Sequence, residues 1–159
     1  SKNLIVSIAR PGIMIVGPGI YTDNRHSFSV SSINSVKACF IRIEIIKKLF
    51  GQNRKFAEGV IREMSRMSHW YLDKLLSMTQ KKMPGRVAEV LLYLSGEVFG
   101  TEEFNPLLTR QELADMAGMA KESFVRILKE FSDEGIICSD CPDIKIIQKE
   151  KLQMISDNG

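Results

Sequence analysis

Residues 108–131, reading LTRQELADMAGMAKESFVRILKEF, constrain this chain most, because they fix two helices and the turn between them. Thr109 and Glu112 stand three apart, the spacing at which a hydroxyl and a carboxylate satisfy each other's exposed amides and start a helix. That first helix is short, with Leu113 and Met116 directed inward and Ala114 small where two helices must approach. Gly118 falls where the chain has to turn through a positive φ, and Met119 lies beneath the turn. A second helix begins near Lys121. Phe124, Ile127 and Leu128 recur at i, i+3 and i+4 as its buried face, which Phe131 extends. Lys121, Glu122, Ser123 and Arg126 are left facing outward at its N-terminal end.

Two helices set by a tight turn, the second with a polar outer face, are what a helix needs to enter the DNA major groove. In that setting Arg126 can bond guanine O6 and N7 together, and Glu122 can accept from cytosine N4. The pair also stands at i, i+4, where each can orient the other. Lys121 and Ser123 can reach phosphates. Thr109, Arg110 and Gln111 open the first helix, whose amides can meet the backbone. Charge is distributed unevenly. Residues 47–89 carry ten Lys/Arg against four Asp/Glu, whereas 105–159 carry seven against ten. A DNA-facing surface here is therefore a local patch, and the acidic balance favours the alternative of a winged-helix module that binds protein.

Upstream, the periods differ. Ile13, Met14, Ile15 and Val16 lead into the turn-forming Gly17, Pro18 and Gly19; Phe28 and Val30 alternate with serines; 36–41 is a further strand candidate. From Arg42 the period is helical, with Ile45, Ile46, Leu49 and Phe50 on one face and Gly51 as the expected stop. Asn53 is expected to cap a helix running to about Lys82, roughly 28 residues and about 42 Å long. Val60, Met64, Met67, Tyr71 and Met78 follow a 4-3-4-7 spacing along it, a coiled-coil-like seam interrupted at Lys74 and expected to meet a second copy. Ile61, Trp70, Leu72, Leu75 and Leu76 widen the apolar surface. Pro84 closes this helix and opens another bearing Val87, Val90, Leu91, Leu94 and Val98, and 96–106 reads as a polar connector.

The Thr-Arg-Gln-Glu-Leu-Ala start at 109–114 and the Glu-Ser-x-x-Arg core at 122–126 resemble the helix-turn-helix of the Crp/Fnr family of bacterial regulators. The likeness extends back through Pro84, Gly85 and Arg86, the long helix and the strand candidates. It implies an α+β fold: a partial, cyclic-nucleotide-binding-like sensor β-roll over 1–52, a long dimerisation helix and hinge over 53–83, and a winged helix-turn-helix over 84–159. The wing would comprise Gly135, Ile136 and Ile137, a turn over 139–143 and a strand over 144–147. The resemblance also implies that the first half of the β-roll precedes Ser1. Family members that bind cyclic nucleotide carry a Gly-Glu pair and an Arg-Ser pair. Here Gly17, Pro18, Gly19 and Ile20 lack the Glu, and Arg25, His26 and Ser27 stand at the second place, so tight cyclic-nucleotide binding is not expected.

Other chemistry finds little support. Cys138 and Cys141 form a C-x-x-C with no second pair to close a zinc site, and Cys39 belongs to another region. His26 and His69 are isolated, so no haem is expected. No nucleophile–base constellation suggests an enzyme, and no metal or cofactor is expected. With three cysteines, no leader pattern and no apolar run long enough to span a membrane, a reducing cytoplasm is expected. The expected partners are double-stranded DNA with a pseudo-palindromic site, a second copy of the chain, and RNA polymerase; the effector is open.

Overall fold

A computed structural model describes residues 3–15, 19, 25, 28–139 and 142–159. Val16, Gly17, Pro18, Ile20, His26, Ser27 and Cys141, which figured in the sequence reading, lie outside the described residues. The chain divides into two compact units, Pro11–Asp73 and a second made of Ser1–Arg10 with Lys74–Gly159. The last turns of the long helix thus belong with the C-terminal unit, where the sequence had grouped them with 53–83.

In the first unit, α1 (Ile43–Gln52) runs past Gly51, which was expected to end it. The helix stops two residues later, at Asn53, whose backbone is extended. Asn53 Oδ1 accepts the Phe56 N–H at 3.0 Å and so starts α2 (Arg54–Gln80). Phe50 and Phe56 meet edge-to-face across this junction, ring centres 5.7 Å apart. The strands expected over 1–41 do not form: no strand occurs there among the described residues. Val36 and Phe40 are exposed at 68% and 98%. Alternation prescribes a strand only where a neighbour supplies ladder hydrogen bonds and an apolar face to cover.

The second unit holds the main core. α3 (Met83–Tyr93) has Pro84 in its first turn, where a missing N–H costs nothing. It passes into a π-helical turn, Leu94–Phe99, which ends at the left-handed Gly100. The expected polar connector then forms β1 (Glu103–Phe104). Phe99 stacks on Phe104 at 5.2 Å and holds this strand to the turn before it. α4 (Arg110–Ala117) and α5 (Lys121–Asp133) follow. Next come β2 (Ile137–Cys138) and β3 (Ile144–Ile146), which pair antiparallel with Ile137 opposite Ile146. β1 adds to the other edge of β3, giving the order β1-β3-β2. A last helix, α6 (Lys149–Asn158), has no counterpart in the sequence reading. It buries Leu152 and Ser156 and packs on α3. There Gly85 and Gly159 touch backbone to backbone; a Cβ on Gly85 would come within 2.9 Å of the Gly159 Cα. Ile5 and Ile8 of the N-terminal segment also pack against this core. The Ile8 N–H donates to the Tyr93 hydroxyl at 3.0 Å.

Candidate nucleic-acid interface

α4 starts on a full reciprocal cap. The Glu112 N–H donates to Thr109 Oγ1 at 3.2 Å, and the Thr109 N–H donates to Glu112 Oε2 at 2.7 Å. Leu113, Ala114, Met116 and Ala117 are buried, so α4 is fixed on three sides within two turns. At its end Gly118 takes φ +62°, and the Met119 N–H returns to the Ala114 carbonyl at 3.1 Å. The glycine is required twice over. A side chain there would be strained by the backbone, and its Cβ would lie 2.9 Å from Met78 Cε.

α5 then leaves from Ala120, which has no side-chain cap. Phe124, Ile127, Leu128 and Phe131 are buried at 4% exposure or less and set the rotation of the helix. Lys121, Glu122, Val125, Arg126, Lys129 and Glu130 are exposed, and Ser123 is half-buried. The sequence-predicted residues of this helix therefore share one side, with Ser123 on its shoulder. Val125, 41% exposed, was missed; its position one residue before Arg126 on the helical wheel was the signal available.

The pairing on that face differs from expectation. Arg126 does not turn back to Glu122; its Nη1 donates to Glu130 Oε1 at 2.6 Å. Both positions are one turn away, but Glu130 lies C-terminal to the arginine. Glu122 stays in the first turn, where the helix dipole favours a carboxylate, and makes no ion pair among the described residues. At the start of α4, Arg110 Nη2 donates to Ser139 Oγ at 3.1 Å, joining this helix to the wing turn. Gln111 Nε2 donates to Asp115 Oδ1 at 2.8 Å along the same helix. Thr109, Arg110 and Gln111 thus lie together at one helix start, all three with side chains engaged within the protein. The wing strands carry an outward ion pair, Lys145 to Glu103 at 2.8 Å.

On α2 the expected seam is not the face that stays open. Val60 is 5% exposed, Met64 and Met67 are half-buried, and Met78 packs on Gly118; of the five, Tyr71 alone is exposed, at 36%. Ile61, Leu72, Leu75 and Leu76 are 58%, 58%, 60% and 50% exposed. In the single chain the first apolar stripe is the more covered of the two. Among the described residues, no three His, Cys, Asp or Glu side chains gather as a metal site. No described helix is long and apolar enough to cross a membrane.

Residues 85–155 match the family described as a Crp-like helix-turn-helix domain. The CRP-like cAMP-activated global transcriptional regulator of Mycobacterium tuberculosis is 25% identical over 153 residues, which cover 93% of this chain and 68% of that protein. Electron transport regulator A of Shewanella oneidensis is 24% identical over 93% of this chain and 60% of its own length. Among solved structures, FixK2 from Bradyrhizobium japonicum superposes with a TM-score of 0.68 at 19% identity, covering 72% of this chain and 59% of that one. A CooA mutant from Carboxydothermus hydrogenoformans gives 0.62 at 18% identity, over 72% of this chain and 55% of that one. The chain thus spans about three-fifths of the length of several proteins it resembles. The likeness to the solved structures bears on the fold: a partial cyclic-nucleotide-binding-like region, a long helix and a winged helix-turn-helix, α+β in class.

Proposed function

We propose that the chain is a transcription regulator of the Crp/Fnr type that works in the cytoplasm as a homodimer reading a pseudo-palindromic duplex through α5. The observation that carries this reading is the outer face of α5, a polar side with Glu122, Val125 and Arg126 exposed while its opposite side is locked into the core. Arg126 is the guanine reader and Glu122 the partner of cytosine. Lys121, Ser123, Thr109, Arg110 and Gln111 meet phosphates. The ion pair of Arg126 with Glu130 does not oppose this. Both side chains are about half exposed, at 59% and 48%, and an exposed i, i+4 pair is worth only about 0.3–0.5 kcal/mol.

The dimer face is the open stripe of α2. Ile61, Ser65, Ser68, Leu72, Leu75 and Thr79 recur at 4-3-4-3-4, the period of a two-helix seam. Ser65, Ser68 and Thr79 each return their hydroxyl to the carbonyl four residues back, at 2.9, 3.0 and 2.9 Å. Their polar groups are therefore satisfied on their own helix, and small side chains remain for close approach. A two-fold dimer places two copies of α5 on half-sites one helical turn, about 34 Å, apart.

Titrating duplex binding against salt tests the interface. Phosphate contacts give a steep negative slope of log affinity against log salt. A flat dependence, or no binding at low salt, removes the DNA reading and favours the protein-binding module.

A further inference from the structure

Lys74 and Met78 in the last turns of α2 and Lys81, the residue just past its end, follow a 4-3 spacing and belong to the C-terminal unit. Lys74 is 8% exposed, an unusual burial for an ammonium. Its Nζ lies 3.7 Å from Glu89 Oε1, and Lys81 Nζ lies 2.8 Å from Glu89 Oε2. Lys81 also donates to the buried Ser156 Oγ of α6 at 3.2 Å. One carboxylate on α3 therefore serves two ammonium groups, the buried Lys74 of α2 and Lys81 just past its end. Between these two lysines, Met78 presses on the Gly118 turn, and Arg86 Nη1 of α3 reaches the Gly118 carbonyl at 3.3 Å. Gly118 stands three residues before the start of α5.

We infer that Glu89, gripping Lys74 and Lys81, is a positioning residue for DNA binding: it fixes the end of the long helix against the turn that aims α5. The inference rests on the DNA reading above and deepens it. The chemistry of the cluster agrees. Burial holds the Lys74 ammonium below its ordinary value, with the Glu89 charge opposing that shift. Burial pushes the Glu89 carboxyl upward, and the Lys81 hydrogen bond together with the two lysine charges overcomes it, leaving a net lowering. Glu89 is therefore the group that opposes the desolvation of the buried Lys74. An apolar contact would tolerate sliding. A carboxylate shared by two ammoniums does not, because leaving the buried Lys74 unpaired is costly. Two α5 helices can meet two half-sites at once only if each is held at a set angle to the helix that joins the protomers.

The test separates aim from stability. Wild type is used to select a duplex from a random pool, and the distance between its half-sites is then lengthened or shortened by a base pair. Glu89→Gln strands Lys74, so the double variant Lys74→Met with Glu89→Gln, which removes both charges and keeps volume, is measured beside it. In wild type the selected spacing should be clearly preferred. In the double variant the preference should shrink to less than about twofold, while base preference within a half-site stays unchanged. Equal loss at every spacing, or an intact spacing preference in the folded double variant, overturns the inference. Failure of wild type to select any duplex defeats the DNA reading itself.

Discussion

Arg126 and Glu130 show how a surface pair can hold a proposed base reader without committing it. The pair is exposed and spans a single helical turn, so its loss costs the fold little. Glu130→Gln frees the guanidinium and removes a negative charge from a face that approaches phosphates. We expect duplex affinity to rise about twofold, with thermal stability changed by less than about 0.5 kcal/mol, as measured by anisotropy titration and melting. Arg110 poses a different question because it already holds Ser139. If it also contacts phosphate, Arg110→Ala weakens all sequences alike and lowers the salt slope by about one per protomer. Ser139→Ala, which removes only the wing contact, should leave that slope unchanged. Matching slopes for the two variants would assign Arg110 to holding the wing alone.

Elements were legible where their cause is local. The cap of Thr109 and Glu112, the left-handed Gly118 and the 3-4 spacing of Phe124, Ile127 and Leu128 lie within 24 residues, and the helix pair formed as read. Thr109→Ala should therefore cost about 1 kcal/mol in denaturant unfolding. Gly118→Ala should cost more, since the strained φ and the Met78 contact add. Elements whose cause is distant were not legible. β1 exists because β3, far along the chain, accepts it, and α6 because α3 offers a surface for Leu152. The strand candidates of 1–41 had the right alternation, and among the described residues they found no ladder. On α2 two apolar stripes compete, and sequence could not say which one the chain itself covers. With Val60 buried and Leu72 open, Leu72→Asp should convert dimer to monomer in sedimentation while helix content is kept. A dimer that survives Leu72→Asp but is lost in Met67→Asp would return the interface to the originally expected seam.

For the whole molecule, the cluster at the base of α2 ties stability to pH with opposite signs on the two limbs. Glu89 is held below its ordinary 4.5 in the folded state. Its contribution is present above that ordinary value and is lost as pH falls through the lowered one. Lys74 is held below its ordinary 10.5, so its cost is full at lower pH and fades as pH rises from the lowered value toward the ordinary one. Denaturant unfolding across pH should show both limbs in wild type. The acid loss should be smaller in Glu89→Gln and the alkaline gain absent in Lys74→Met. The central claim is that this dimer reads sequence through α5. Selection of bound duplexes from a random pool, with wild type and Arg126→Ala side by side, tests it most directly. The account predicts a two-fold motif for wild type, and for Arg126→Ala the same motif with its guanine preference relaxed at one base pair per half-site, at a cost of about 1–3 kcal/mol. Equal enrichment of one motif by both proteins, or enrichment of nothing by wild type at low salt, would contradict it.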